Sequence, residues 1–130
     1  MSIVDGSFVI AFFDPDSEHH KTAVDWMRQQ RDPVRLPESS VAAIIRHLEN
    51  EERREEEKAF LMELASGKRI VPISHVRSDF ARMADVVETY GEYGIGTAEA
   101  GVIAVAERLQ DYSIATFRPE VFQIVPPKNI

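Results

Sequence analysis

Cysteine is absent from this sequence of 130 residues, which excludes disulfide bonds, thiolate metal sites and a cysteine nucleophile. Long hydrophobic runs are also absent. The apolar stretch Phe8 to Phe13 is too short to span a membrane or to form the core of a signal peptide, and no basic leader precedes it. We therefore expect a protein that resides in the cytoplasm and has no membrane contact.

Positive charge is scarce, because 15 Lys and Arg residues face 22 Asp and Glu residues and the formal net charge is −7. This balance argues against a large basic surface that binds a phosphate backbone unaided. It does not exclude nucleic acid, since a bound divalent cation can bridge carboxylates to a phosphate. Hydrophobic residues make up 44% of the chain, enough for the core of one compact domain over residues 1–130.

Short apolar stretches alternate along the chain with segments of helical periodicity. The stretches predicted to be strands lie near residues 3, 34, 70, 113 and 124, and the last of them is Gln123–Val125. Such alternation predicts an α/β fold with a parallel sheet covered by helices on both faces. The first strand, at Ile3, is expected near the centre of the sheet, because it has no amphipathic alternation.

Asp5 directly follows that first strand, and Gly6 and Ser7 follow it in turn. In parallel α/β sheets, ligands bind beyond the carboxyl ends of the strands, so this carboxylate is well placed to hold a cation. A simpler interpretation is that Asp5 only caps the helix that follows. The pentapeptide alone leaves both interpretations open.

Glu99 lies in the first turn of the helix predicted to start at Thr97 and falls on the same face as Val102 and Ile103. An inward-facing carboxylate is costly unless it is paired or binds a cation. The helix dipole alone can also favour a glutamate in a first turn. Spacing does not decide between these two explanations.

The chain resembles the PIN-domain family and is most similar to the VapC-type toxins of bacterial toxin–antitoxin pairs. The segments that carry the resemblance are IVDGSFVIAFFDPDSEHHKTAVDWM, LPESSVAAIIRHLE, GTAEAGVIAVAERL and YSIATFRPEVFQIV. The resemblance implies a three-layer α/β/α fold with a small central parallel sheet. It also implies an endoribonuclease that depends on Mg²⁺ or Mn²⁺, bound by acidic residues at the carboxyl end of the sheet.

Carried over residue by residue, the resemblance makes Asp5 and Glu99 the metal ligands and Ser7 and Thr116 supporting members of the catalytic site. The family's second acid falls on Ala43, so this carboxylate is missing. Its fourth acid normally follows the Ala-Thr of the late strand. Here Phe117 and Arg118 follow instead, and Arg118 is a candidate to pair with Asp5 or Glu99. Substitutes considered for the missing acids are Glu38, Glu49 and Glu120.

Two functions of different classes follow from this pattern. The first is an active, metal-dependent endoribonuclease, which the acids at positions 5 and 99 favour. The alternative is a PIN-like binding or regulatory protein that has lost catalysis, which the two missing acids favour. The resemblance implies RNA as the substrate, an antitoxin protein as a possible partner, and a homodimer. A response-regulator fold is disfavoured, because no phosphorylatable Asp follows Ile70–Ile73.

Overall fold

Four parallel strands form the sheet at the centre of a computed structural model, which describes residues 1–128. The strands are β1 (Ile3–Val4), β2 (Val34–Pro37), β3 (Ile70–Ile73) and β4 (Ile114–Ala115). Their order is β3-β2-β1-β4, and every neighbouring pair is parallel. The first strand therefore lies inside the sheet, as predicted.

Helices lie in every connection between the strands, and one more helix follows β4. They are α1 (Gly6–Phe13), α2 (His20–Arg28), α3 (Ser39–Asn50), α4 (Arg54–Ser66), α5 (Arg77–Tyr90), α6 (Thr97–Arg108) and α7 (Pro119–Ile124). None of these helices, in the part of the chain that the structure describes, combines the length and apolar character needed to cross a membrane.

The sheet separates two hydrophobic cores. On one face, Ile3 packs with residues of α5, α6 and α7. On the other face, Val4 packs with residues of α1, α2, α3 and α4. Both side chains are fully buried, so β1 contributes to both cores. This arrangement is the three-layer α/β/α fold that the sequence predicted.

The predicted strand Gln123–Val125 is wrong, because its first two residues lie in α7. Pro119 is the first residue of that helix, a position where the missing N–H of proline costs nothing. Val121, Phe122 and Val125 are buried in the α5–α6 core. Their spacing places them on one face of a helical turn. A short apolar run fits a strand or a buried helix equally well by periodicity, so the sequence pattern alone does not distinguish the two.

Candidate active site

Asp5 lies between the end of β1 and the start of α1, and it is the N-cap of α1. Its Oδ1 accepts hydrogen bonds from the backbone N–H of Phe8 (3.0 Å) and from the hydroxyl of Ser7 (2.7 Å). The cap interpretation is therefore confirmed, but it does not use the whole carboxylate. The other oxygen, Oδ2, accepts a hydrogen bond of 2.6 Å from Thr116, beyond β4.

Ser7 and Thr116 link the two strands that meet at this point. Their hydroxyl oxygens lie 3.2 Å apart, and Ser7 Oγ also accepts a hydrogen bond from the backbone N–H of Phe117 at 3.0 Å. Thr116 Oγ1 accepts one from the N–H of Arg118 at 2.9 Å. The structure thus brings together three of the four predicted site residues in one network and fixes the orientation of the Asp5 carboxylate.

Burial makes the charge of Asp5 costly. The residue is only 5% exposed, and this desolvation raises the pKa of its carboxyl group. Hydrogen bonds from Thr116, Phe8 and Ser7 lower the pKa, but they do not cancel the effect of burial. The negative charge of Glu99 raises it further. The site therefore favours a cation or a proton beside Asp5.

Glu99 is the fourth predicted residue, and it lies in the first turn of α6 with 24% of its side chain exposed. Its Oε1 lies 3.7 Å from the guanidinium of Arg118, whose side chain is 51% exposed. The predicted pairing of Arg118 with an acid is therefore found, with Glu99 as the partner. The pair is loose and half open to water, so the arginine is free to turn toward a ligand.

Asp5, Ser7 and Glu99 line one cavity of about 210 Å³, and Arg118 borders it. Ala43 also lines this cavity, so the position that corresponds to the family's second acid contributes only a methyl group.

One polar group in this cavity was missed by the sequence analysis. Ser40 is buried, and its Oγ has no hydrogen-bond partner among residues 1–128. Its spacing of three residues from Ala43 and four from Ile44, which also line the cavity, was the signal that could have found it.

No substitute for the missing acids lines the cavity. Glu38 is exposed at the surface, where it accepts a hydrogen bond from Ser74. The side chain of Glu120 is 66% exposed and lies beside Arg118. Glu49 lies near the end of α3, about 14 Å along the helix from Ser40 at 1.5 Å per residue. In the described part of the chain, no cluster of three or more acidic or histidine side chains could hold a metal ion.

The family model of the PIN domain matches residues 2–118, which is most of the chain. The chain belongs to the PIN-domain family. The resemblance seen in the four sequence segments is thereby confirmed. No curated protein matches this PIN domain by sequence.

A solved structure shares the fold of this PIN domain. The toxin VapC20 of Mycobacterium tuberculosis, described as cleaving the sarcin–ricin loop, superposes with a TM-score of 0.84. The alignment covers 100% of this chain and 98% of the toxin, at 12% sequence identity. At that identity the likeness establishes the fold alone.

The donor set of this PIN domain fits one divalent ion. Mg²⁺ is usually held by one or two carboxylates, with water completing its coordination. Asp5 and Glu99 supply two carboxylates that line the same cavity. A second ion does not fit, because Ala43 offers no ligand and Arg118 contributes a positive charge.

Proposed function

We propose that this PIN domain is a VapC-like endoribonuclease that uses one divalent metal ion, Mg²⁺ or Mn²⁺. The observation that carries the proposal is the convergence of Asp5 and Glu99 on one cavity at the carboxyl end of the central strand. The fold shared with a toxin that cleaves the sarcin–ricin loop supports RNA as the substrate.

In this proposal Asp5 and Glu99 hold the ion. When bound, the ion activates water and stabilises the negative charge that develops on the phosphate. Ser7 and Thr116 act by orientation: their hydroxyls bond both oxygens of Asp5 and hold its carboxylate in place. Such supporting contacts are typically worth about 10- to 100-fold in metal affinity or activity.

Arg118 supplies the positive charge that a net acidic protein needs near a phosphate. Its half-exposed guanidinium can leave Glu99 and donate two hydrogen bonds to phosphate oxygens, a geometry that arginine favours. In this role the arginine compensates in part for the absence of a second metal ion.

Partners are part of the proposal. A homodimer is proposed from the family resemblance, and an antitoxin protein is proposed as the cellular inhibitor. A second candidate function, a binding protein without catalysis, is favoured by one observation: Ala43 and Arg118 stand in the cavity where the family pattern has acids.

Cleavage of single-stranded RNA tests the proposal. We expect wild-type protein with Mg²⁺ or Mn²⁺ to cleave, and Asp5→Asn and Glu99→Gln to lose about 100-fold or more, the upper end of what supporting contacts alone are worth. Glu120→Gln is the matched control, since it removes a nearby but exposed carboxylate outside the cavity. Wild-type protein that cleaves no RNA with either ion would favour the binding protein.

A further inference from the structure

A second cavity lies beside the edge strand β4, next to the acidic site. Its volume is about 210 Å³. Its walls are aromatic and hydroxyl-bearing: they include Phe8, Trp26, Phe117, Thr22 and Thr116. Thr22 is exposed, and Trp26 and Phe117 are half-buried, so the cavity opens to solvent.

The rings around this cavity already stack on one another. Phe8 and Phe117 are parallel, with centroids 5.9 Å apart and planes 3° apart, and Trp26 meets Phe8 edge to face at 5.0 Å. His19 stacks on Phe117 at 4.3 Å and 8°, while 46% of its own side chain stays exposed. Phe8 is buried by these contacts, whereas Trp26 and His19 keep exposed surface. A base can stack on an exposed aromatic face of this kind.

The aromatic cavity shares residues with the acidic site. Thr116, which lines the cavity, donates a hydrogen bond to Asp5, and the N–H groups of Phe8 and Phe117 bond to Asp5 and Ser7. A nucleotide whose phosphate is bound at the acidic site through a cation would therefore have its base within reach of the cavity.

Strand β4 offers the polar groups that a base needs. It pairs with β1 on one side, and no strand within residues 1–128 pairs with its other side. The N–H groups of Ile3 and Asp5 bond to the carbonyls of Ser113 and Ala115, so the N–H and C=O of Ile114 point away from β1.

Ile114 packs its side chain against the core of the opposite sheet face, so it borders the cavity with its backbone. No strand within residues 1–128 bonds these two groups, and a donor beside an acceptor suits the hydrogen-bonding edge of a nucleobase.

We propose that this cavity binds one unstacked nucleobase of single-stranded RNA, beside the phosphate that the acidic site takes. That the ligand is RNA rests on the proposed function. A peptide strand added to β4 is less suited, because β4 has only two residues and offers few backbone hydrogen bonds.

Fluorescence of Trp26, the only tryptophan in the chain, reports binding in this cavity directly. The full chain is titrated at low salt with an RNA octamer and with an abasic ribose-phosphate octamer. Ca²⁺ replaces Mg²⁺ and Mn²⁺ so that the acidic site can hold an ion beside the phosphate, and the RNA is checked for cleavage after each titration. We expect the RNA to change the Trp26 emission and to bind about five-fold or more tightly than the abasic chain. Equal affinities for the two chains would overturn the proposal.

Two variants alter the cavity in opposite ways. Phe117→Leu removes a stacking ring, and Thr22→Phe fills the cavity from its exposed rim. Each is expected to reduce the preference for RNA over the abasic chain to less than two-fold. Phe80→Leu is the matched control, because it removes an exposed phenylalanine on α5, outside this cavity. If both cavity variants keep the wild-type preference for RNA over the abasic chain, the proposal is overturned. It is also overturned if a peptide in a strand conformation alters the Trp26 emission and RNA does not.

The outcome is separable from that of the nuclease assay. Base-dependent binding by a protein that cleaves no RNA supports the cavity proposal and rejects the nuclease. Cleavage by a protein that binds RNA and the abasic chain equally rejects the cavity proposal alone.

Discussion

Asp5 combines two roles that oppose each other energetically. As the N-cap of α1 it stabilises the helix, while as a buried carboxylate near Glu99 it is costly to ionise. Asparagine at position 5 has the same shape as aspartate. Its side-chain oxygen can still accept the hydrogen bond from the Phe8 N–H, but it carries no negative charge. Strained or destabilised groups of this kind are typical of functional sites.

Thermal unfolding of Asp5 variants is the first test at this scale. Because the folded-state pKa is raised above 3.8, the folded protein binds more protons than the unfolded chain in the window above that value. Wild-type stability should therefore fall as the pH rises through this window, and metal-free Asp5→Asn should lack that fall.

At neutral pH we expect Asp5→Asn to melt at a higher temperature than wild type. Asp5→Ala should be about 1 kcal/mol less stable than Asp5→Asn, since alanine cannot cap the helix. An Asp5→Asn protein with the same pH dependence as wild type would show that burial of this charge is not a cost.

The position of a site residue could be anticipated from sequence where one short segment holds it. Asp5 and Ser7 belong to one pentapeptide, and the structure joins them by a hydrogen bond, as the family resemblance implied for Ser7. The sequence could not show whether Arg118 contacts Glu99 or Asp5. The contact with Glu99 depends on how α6 packs against the segment that follows β4. Ser40 could not be found from sequence, because its distinguishing feature is a buried hydroxyl without a hydrogen-bond partner in the described residues, and only the packing of the folded chain creates that feature.

At the scale of the elements, the close approach of α3 and α6 positions Glu99. The two helices touch at Gly101, where an added Cβ would lie only 1.8 Å from Ser39 Oγ and 2.6 Å from its Cβ. Ser39 Oγ also donates a hydrogen bond to the carbonyl of Ala98, one residue before Glu99. A glycine at position 101 therefore sets the distance between the helices that line the acidic cavity.

Gly101→Ala is expected to destabilise the protein by about 1–3 kcal/mol, the usual cost of overpacking, and to lower RNA cleavage by moving α6. Chemical denaturation measures the first effect. Gly91→Ala is the matched control, since no atom lies within 4 Å of an added Cβ there and its φ of −59° suits alanine. Equal stabilities of the two variants would show that the α3–α6 contact is not tight.

Element types were predictable because hydrophobic periodicity is local. Helical spacing indicated α6, the lack of amphipathic alternation indicated the interior position of β1, and the structure has both. The predicted strand Gln123–Val125 is wrong because the four apolar residues among 121–125 fit a strand and a helix equally, and only packing against α6 decides.

At the scale of the whole molecule, the homodimer remains a prediction. Apolar residues of the first three helices are the candidates for a dimer interface, and of these Phe12 is only 8% exposed within one chain. Trp26 and Ile45 are partly buried against the core. Light scattering at tens of micromolar should give twice the mass of one chain, and the mass of a single chain would count against the dimer.

Calorimetry with Mn²⁺ tests the central claim, that Asp5 and Glu99 hold one divalent ion. We predict weak binding of one ion to wild type, weaker binding to Asp5→Asn, and unchanged binding to Glu49→Gln, whose carboxylate lies far along α3. Asp5→Asn that binds Mn²⁺ as well as wild type would contradict the claim. The claim would also be contradicted if wild-type protein bound no Mn²⁺ at millimolar concentration and the Arg118→Asp variant did bind it, because Arg118 would then occupy the place of the metal.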